Sequence, residues 1–269
     1  MPGVAVFGIT GRMGQSLIRA LREPRAQPLE ALHLTGALAA PSSTHLGGDA
    51  AIGGEATGVL ITADVRAALE SAAVALDFSV PHRVAEHARA CAASHVPLLI
   101  GTTGIDAASR AQIEAAAQHI PVLVAPNTSI GVAVLAQAVA LAAAALGSAY
   151  DVEISEAHHR MKRDAPSGTA LALGEVVAAA RGRALTEVAV FDRQAAEAPR
   201  EHGSIGFAVV RAGDIVGEHT VTFATAGERI EMTHRATDRL IFARGALRAA
   251  AWLIGRAPGL YGMQNVLGR

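Results

Sequence analysis

The sequence predicts an α/β protein, with an N-terminal doubly wound parallel sheet followed by a central α+β module built on a mixed sheet. Three observations predict it. In the first half, short β-branched runs alternate with longer helical ones, the pattern of βαβ units with helices on both faces of a parallel sheet. A glycine loop, GITGRMG (8–14), stands between the first strand and the first helix. After Asn127 the pattern changes, and from residue 188 the chain reads mostly as strands separated by turn residues.

Taken in order, Val4–Phe7 is the first expected strand, Gly8–Gly14 its loop and Met13–Arg22 the helix that follows. Leu32–Leu38 is a second strand. Residues 41–58, rich in Ser, Gly and Thr, read as a mobile surface excursion. Then come Val74–Phe78 (strand), Pro81–Ser94 (helix), Val96–Ile100 (strand), Asp106–His119 (helix) and Pro121–Ala125 (strand). A long apolar helix, Ile130–Leu146, leads to a strand, Asp151–Ala157, and to a helix, Thr169–Arg181. Strands are expected at Val188–Phe191, Ile205–Arg211, Glu218–Thr225 and Arg229–His234. Arg-Ala-Gly-Asp (211–214) and Ala-Gly-Glu (226–228) supply turn chemistry between them. The last expected helix, Asp238–Leu253, returns to pack on the first domain. The domains are therefore 1–129 with 239–269, and 130–238.

Composition narrows the class. The 269 residues suffice for two modest domains with a buried core. With 51% hydrophobic but only 3% aromatic residues, that core packs small aliphatic side chains, which suits helices laid closely on a sheet. A net charge of −1 argues against a general nucleic-acid surface. The single cysteine, Cys91, has no internal partner and reads as a small buried hydrophobe. VAVFG opens the chain as a strand rather than a secretory signal, and LAQAVALAAAAL (135–146) is too short to span a bilayer. The expectation is a soluble, cytoplasmic protein with neither nucleic acid nor membrane as partner.

The glycine loop carries the first functional signal. Gly8, Gly11 and Gly14 allow a tight turn, close backbone approach to a pyrophosphate, and close packing of helix on strand. The helix N-terminus adds a field that favours an anion. This is the context of a Rossmann-type dinucleotide site. The acidic residue that selects NAD in many such folds is absent, since TGALAAPSS (35–43) holds neither an acid nor a base. Arg12 is the nearest cation, and the expected cofactor is NADPH and/or NADH. GTTG (101–104) and APNTS (125–129) leave the ends of later strands, where a nicotinamide can lie against backbone; DFS (77–79) is a weaker signal on the same edge.

The second signal is EAHHRMKRDAPSGTAL (156–171), a polar cluster in an apolar chain. If the strand continues, Glu156, His158 and Arg160 share one side. Asp164-Ala-Pro then breaks it. Ser167-Gly168-Thr169 precedes a helical run, so a hydroxyl there can cap the helix while free N–H groups bind a carboxylate. No HExxH or Cys/His spacing supports a metal, and none is expected. Two bland readings compete: a solvated face with a plain cap, and one structural buried histidine. The functional reading is an anion pocket. His159, Lys162 and the Gly168 and Thr169 amides hold a small acid, while His158 or Lys162 moves a proton.

With these residues in hand, the chain resembles the dihydrodipicolinate reductase family of lysine and diaminopimelate biosynthesis. GxxGRMG (8–14), GTTG (101–104), APN (125–127), EAHHxxKxDAPSGTA (156–170) and RAGDIVGEH (211–219) occur in the family's order, nearly end to end. The resemblance implies reduction of (2S,4S)-4-hydroxy-2,3,4,5-tetrahydrodipicolinate to tetrahydrodipicolinate with loss of water, by a homotetramer formed through the central sheet. It implies that Gly8, Ile9, Thr10, Gly11, Arg12 and Met13 cradle the pyrophosphate. Gly101, Thr102 and Thr103, with Ala125, Pro126, Asn127 and Thr128, would line the nicotinamide side. His158 is implied as proton donor or acceptor and Lys162 as proton donor, with water a third candidate. His159, Lys162, Gly168 and Thr169 are implied to hold the substrate carboxylates, and a closing motion to bring the two domains' ligands together. RAGDIVGEH reads as a hairpin that shapes the substrate domain, outside the catalytic set. Ala39-Ala40 stands where some members carry Glu-Arg, and Thr128 where some carry an aromatic. Another amino-acid-pathway dehydrogenase and a non-catalytic NAD(P)-binding sensor are the rival readings.

Overall fold

Gly3–Phe7 (β1) is buried along its whole length, as a strand covered on both faces must be. In the computed structural model, which describes residues 1–23, 32–193 and 199–268, it begins a series of alternating strands and helices. Arg12–Arg22 (α1), His33–Leu38 (β2), Ile61–Thr62 (β3), Val65–Leu69 (α2) and Val74–Asp77 (β4) follow. Next are Val84–Ala93 (α3), Leu98–Ile100 (β5), Ala107–Ala117 (α4), Pro121–Val124 (β6) and Ile130–Leu146 (α5). The chain continues through Asp151–His158 (β7), Gly168–Ala180 (α6), Leu185–Val188 (α7), Ala189–Val190 (β8), Ile205–Arg211 (β9), Gly217–Thr225 (β10) and Glu228–Ala236 (β11). Leu240–Leu253 (α8), Gly259–Tyr261 (β12) and Met263–Val266 (α9) end it. The chain divides into two units, Met1–Ile130 with Leu240–Arg269, and Gly131–Arg239.

The first unit holds a parallel sheet in the order β12-β6-β5-β4-β1-β2-β3. The chain moves outward from β1 to β2 and β3, then returns to β4 on the other side of β1. That reversal makes the C-terminal ends of β1 and β4 the switch point, where open α/β sheets bind ligands. Small aliphatic side chains such as Val84, Ala88, Ile100, Ile113 and Val122 fill the core. Cys91 is fully buried among them, the bland role expected of it. Close packing is literal at two glycines. A Cβ on Gly36 would stand 1.9 Å from the Ala68 carbonyl oxygen, and one on Gly245 of α8 would stand 1.9 Å from that of Thr128.

In the second unit the sheet order is β11-β10-β7-β9-β8, mixed as the sequence implied. β7 runs parallel to β9 and antiparallel to β10. Burial along β7 alternates, with Val152, Ile154, Glu156 and His158 inward. Leu135, Val139 and Ala143 of α5 and Leu173 and Val177 of α6 close over Val152, Ile154, Val221 and Phe223. The helical stretch from Ile130 runs to Ala149, and its 20 residues are long and apolar enough to cross a membrane by length and composition. The expectation of too short a run is thus corrected, because the helix extends beyond 135–146. One side of it nevertheless packs into this unit's core.

Other departures have local causes. β3, α2, β12 and α9 are too short to show periodicity in the sequence. Val188–Phe191 contains only two strand residues, Ala189–Val190, preceded by a helical turn. Residues 41–58 are mostly exposed but are tied down rather than loose. The Asp49 carboxylate accepts from Ala51 N, Thr57 N, Thr57 Oγ1 and Gly58 N, and these bonds draw its pKa down to about 2.

Candidate active site

The first unit brings its three predicted loops to one sheet edge. Residues 8–13 leave β1, 101–103 leave β5 and 125–128 leave β6, and these parallel strands lie side by side with β4. Gly8 takes φ +79°, and a Cβ there would stand 2.6 Å from the Phe78 carbonyl oxygen. A Cβ on Gly14 would stand 2.4 Å from the Ile9 carbonyl. Only glycine fits either position. Gly11 begins α1 without any side-chain cap, which leaves the first backbone N–H groups of that helix facing outward for an anion. Thr10 and Met13 are half-buried and Arg12 is exposed, whereas the Ile9 side chain is in the core and offers only backbone. The residues present therefore fit a dinucleotide pyrophosphate.

The neighbouring loops are held from behind by Asp77, which is fully buried at the end of β4. Its Oδ1 accepts from Ser79 N at 2.9 Å, Ser79 Oγ at 2.6 Å and Thr102 Oγ1 at 3.2 Å. Its Oδ2 meets Nδ1 of buried His87 at 2.7 Å. Gly101 packs so tightly on Phe78 that a Cβ would lie 2.0 Å from the ring. Thr103 and Pro126 remain exposed, Gly101 and Asn127 half-buried and Ala125 buried. Thr128 is buried, with its hydroxyl donating to the Phe242 carbonyl at 2.7 Å, so its side chain ties the loop to α8.

The second unit gathers the polar cluster. β7 ends at His158, so the strand does not continue to Arg160, which sits exposed in a turn. Glu156 and His158 do share the inward side. Glu156 Oε2 meets His158 Nδ1 at 2.6 Å, and Arg211 forks onto the same carboxylate with two contacts of 2.7 Å. Ser167 N donates to Glu156 Oε1 at 3.0 Å. Ser167 is the N-cap of α6, its Oγ accepting from Ala170 N at 3.2 Å and meeting His219 Nε2 at 3.0 Å. The rings of His158 and His219 meet edge to face at 5.1 Å. Around this core, His159 and Thr169 are half-buried and Gly168 is exposed at the first turn of α6. Lys162 Nζ pairs with Asp164 at 2.9 Å, and the Ala165–Pro166 peptide that follows is cis.

Electrostatics follow from this geometry. Burial alone would raise the Glu156 pKa, but the bonds from Arg211, His158 and Ser167 hold it below the ordinary value. Burial lowers that of His158, against the pull of Glu156, and the nearby Lys162 charge lowers it further. His219 is pushed down to about 4, first by burial and then by His158, with His234 and Lys162 adding and Glu156 opposing. The unfolded chain therefore takes this proton near pH 6.5 and the folded chain only near 4. Stability from neutral His219 is complete above pH 6.5 and is lost as pH falls towards 4. Urea denaturation should show about 2 kcal/mol of it gone by pH 5. His219→Asn should flatten that slope, and equal slopes in the two proteins would refute the assignment.

The sequence reading missed Arg211 and His219. RAGDIVGEH is not a hairpin, because β9 and β10 lie on opposite sides of β7 and the segment crosses over the end of that strand. The crossing delivers both side chains to the Glu156–His158 pair. The signal available was the pairing of an arginine and a histidine with the acid of the EAHH run. Among the described residues no group of three His, Cys, Asp or Glu side chains is arranged to hold a metal.

Comparison with known proteins identifies the family. The family model described as dihydrodipicolinate reductase, N-terminus, matches residues 3–128, and its C-terminus counterpart matches 131–267. A 4-hydroxy-tetrahydrodipicolinate reductase of Thiobacillus denitrificans is 51% identical over 266 residues, 98% of both chains. One from Anaeromyxobacter dehalogenans is 48% identical over 270 residues, covering all of this chain and 98% of the relative. The dipicolinate-bound dihydrodipicolinate reductase of Paenisporosarcina sp. TG-14 has the same fold, with a TM-score of 0.77 at 26% identity over 98% of this chain and 99% of that one. With both family models matched in sequence order and half the residues shared with a full-length relative, this chain belongs to the dihydrodipicolinate reductase family.

Proposed function

We propose that the chain reduces (2S,4S)-4-hydroxy-2,3,4,5-tetrahydrodipicolinate to tetrahydrodipicolinate with loss of water, in lysine and diaminopimelate biosynthesis. When bound, NADPH and/or NADH supplies the hydride. Residues 1–129 and 239–269 bind the cofactor, since the three loops of the sheet edge all lie there. Residues 130–238 bind substrate, since the whole polar cluster lies there. The observation that carries this reading is the Glu156 carboxylate. It orders His158, Arg211 and the start of α6 into one network that a merely solvated surface would not need.

The chain's own residues then have distinct tasks. Gly8, Thr10, Gly11 and Met13 offer backbone to the pyrophosphate, with Arg12 beside them. Gly101, Thr102, Thr103, Ala125, Pro126, Asn127 and Thr128 present the wall for the nicotinamide. A substrate carboxylate displaces Asp164 from Lys162, and the amides of Gly168 and Thr169 hold it at the N-terminus of α6. His159 binds the same anion. Lys162 or His158 handles the proton that restores the ring carbon next to the reduced one. The homotetramer forms through the face of the central sheet opposite α5 and α6, where Ser155 and Val210 stand exposed. We place the protein in the cytoplasm.

An assay coupled to the upstream synthase, with aspartate semialdehyde and pyruvate, tests the reading at the nicotinamide absorbance. Turnover with NADPH is expected. Strict dependence on NADH would refute acceptance of NADPH, and cofactor binding without turnover would establish the sensor instead.

A further inference from the structure

Glu156 is the most constrained side chain of the second unit. Its carboxylate is 1% exposed, and four nitrogen atoms reach it. Oε2 receives His158 Nδ1 and Arg211 Nη1, while Oε1 receives Ser167 N and Arg211 Nη2. Two oxygens with two lone pairs each are thereby filled. A guanidinium and a backbone N–H have nothing to accept with, so a proton on Oε1 would face donors only and one on Oε2 could pass only to His158 Nδ1, while the bonds to the carboxylate hold its pKa below the ordinary value. The carboxylate is therefore ionised, and this fixes its fourth partner. At 2.6 Å a bare Nδ1 would set a lone pair against a carboxylate lone pair, so Nδ1 carries the hydrogen.

The consequence falls on the other ring nitrogen. Burial keeps the imidazole neutral, and a neutral ring protonated at Nδ1 has its lone pair on Nε2. The space beside Nε2 is also kept clear. Gly217, the first residue of β10, has no side chain there, and a Cβ would stand 3.1 Å from Nε2 and 3.3 Å from Cδ2. Arg211 arrives from β9, in register with His158 across the parallel pair, and cannot lose its charge. Ser167 ties the same carboxylate to the start of α6, so one group sets both the His158 ring and the helix terminus.

We infer that Glu156, clamped by Arg211, is a positioning residue that holds His158 as its Nδ1–H tautomer and so presents Nε2 to the bound substrate as an acceptor. The inference rests on the reading above, in which His158 touches substrate. It adds a required tautomer and assigns Arg211, Glu156 and Gly217 to maintaining it.

The experiment is long-range proton–nitrogen correlation on the full chain labelled with ¹⁵N-histidine, the His158 signals assigned by their loss in His158→Gln. In the wild-type protein Nδ1 should resonate as the protonated nitrogen and Nε2 as the bare one. The reverse pattern overturns the inference, and needs no variant to fold. Glu156→Gln sets an NH2 group against Arg211 or Ser167, so the tautomer should become mixed. Its kcat should fall by about 10²-fold while KM for the substrate changes little. A Glu156→Gln protein with a native near-UV spectrum and wild-type kcat also overturns it. Gly217→Ala crowds the Nε2 side of the ring and leaves the Nδ1–Glu156 contact in place, so it should lose kcat with the wild-type tautomer retained. Wild-type kcat in His158→Gln would instead break the functional reading, while leaving the tautomer measurement standing.

Discussion

Lys162→Ala should lower kcat by about 10²–10⁴-fold and raise KM for the substrate in the same protein. In the proposed function one side chain serves both terms, as the cation for a carboxylate and as a source of the proton. Its side-chain partner in the free protein is Asp164, 60% exposed, an ion pair of the kind worth about 0–1 kcal/mol. Folding should therefore be intact and the loss confined to catalysis. His159→Ala is the contrast, expected to act mainly on KM because the proposed role of His159 is to hold the anion without moving a proton. Steady-state kinetics with each variant check the split. A Lys162→Ala enzyme with wild-type constants would remove Lys162 from the mechanism, and an equal kcat loss in His159→Ala would reassign His159.

Asp77→Ala should strongly destabilise the first unit. The truncation takes the acceptor from half-buried Ser79 N and Ser79 Oγ and the partner from buried His87 Nδ1, and leaves Thr102 Oγ1 only the Asp77 backbone carbonyl. Each orphaned polar group costs about 1–3 kcal/mol, and losing one partner of a buried pair about 3–5 kcal/mol. A loss of about 3–5 kcal/mol lowers the Tm of a chain this size by roughly 10 °C. Because Asp77 also fixes Thr102, the surviving folded protein should bind the dinucleotide more weakly. Calorimetry and cofactor titration check the two parts. A stability within about 0.5 kcal/mol of wild type would show that the loops stand without it.

Features with a local cause were legible in the chain. The glycines at 8 and 14 were readable because a positive φ and a close backbone approach each exclude side chains. The Ser167 cap was readable because capping needs a hydroxyl just before a helical run, and period-two alternation correctly put Glu156 and His158 on one side of β7. Local rules failed where an element was too short to repeat, as at β3 and β12, or where a turn signal had two uses. Arg-Ala-Gly-Asp makes an acceptable hairpin turn, and nothing nearby says that β7 will insert between the strands it joins. Asp77 was seen as the end of a strand, but its four partners come from the loop after β4, from α3 and from the loop after β5.

By itself the sequence determined the alternating architecture, the anion-ready loops and the list of side chains able to do the chemistry, since these depend on residue types within one or two turns of chain. Tertiary structure alone decided which nitrogen of His158 is protonated and why His219 stays neutral. The first depends on Arg211, brought from β9 onto the Glu156 carboxylate, and the second chiefly on the burial of His219 where β10 packs beside β7. The field at an imidazole is set by whatever lies within a few ångströms, and spacing along the chain does not record that.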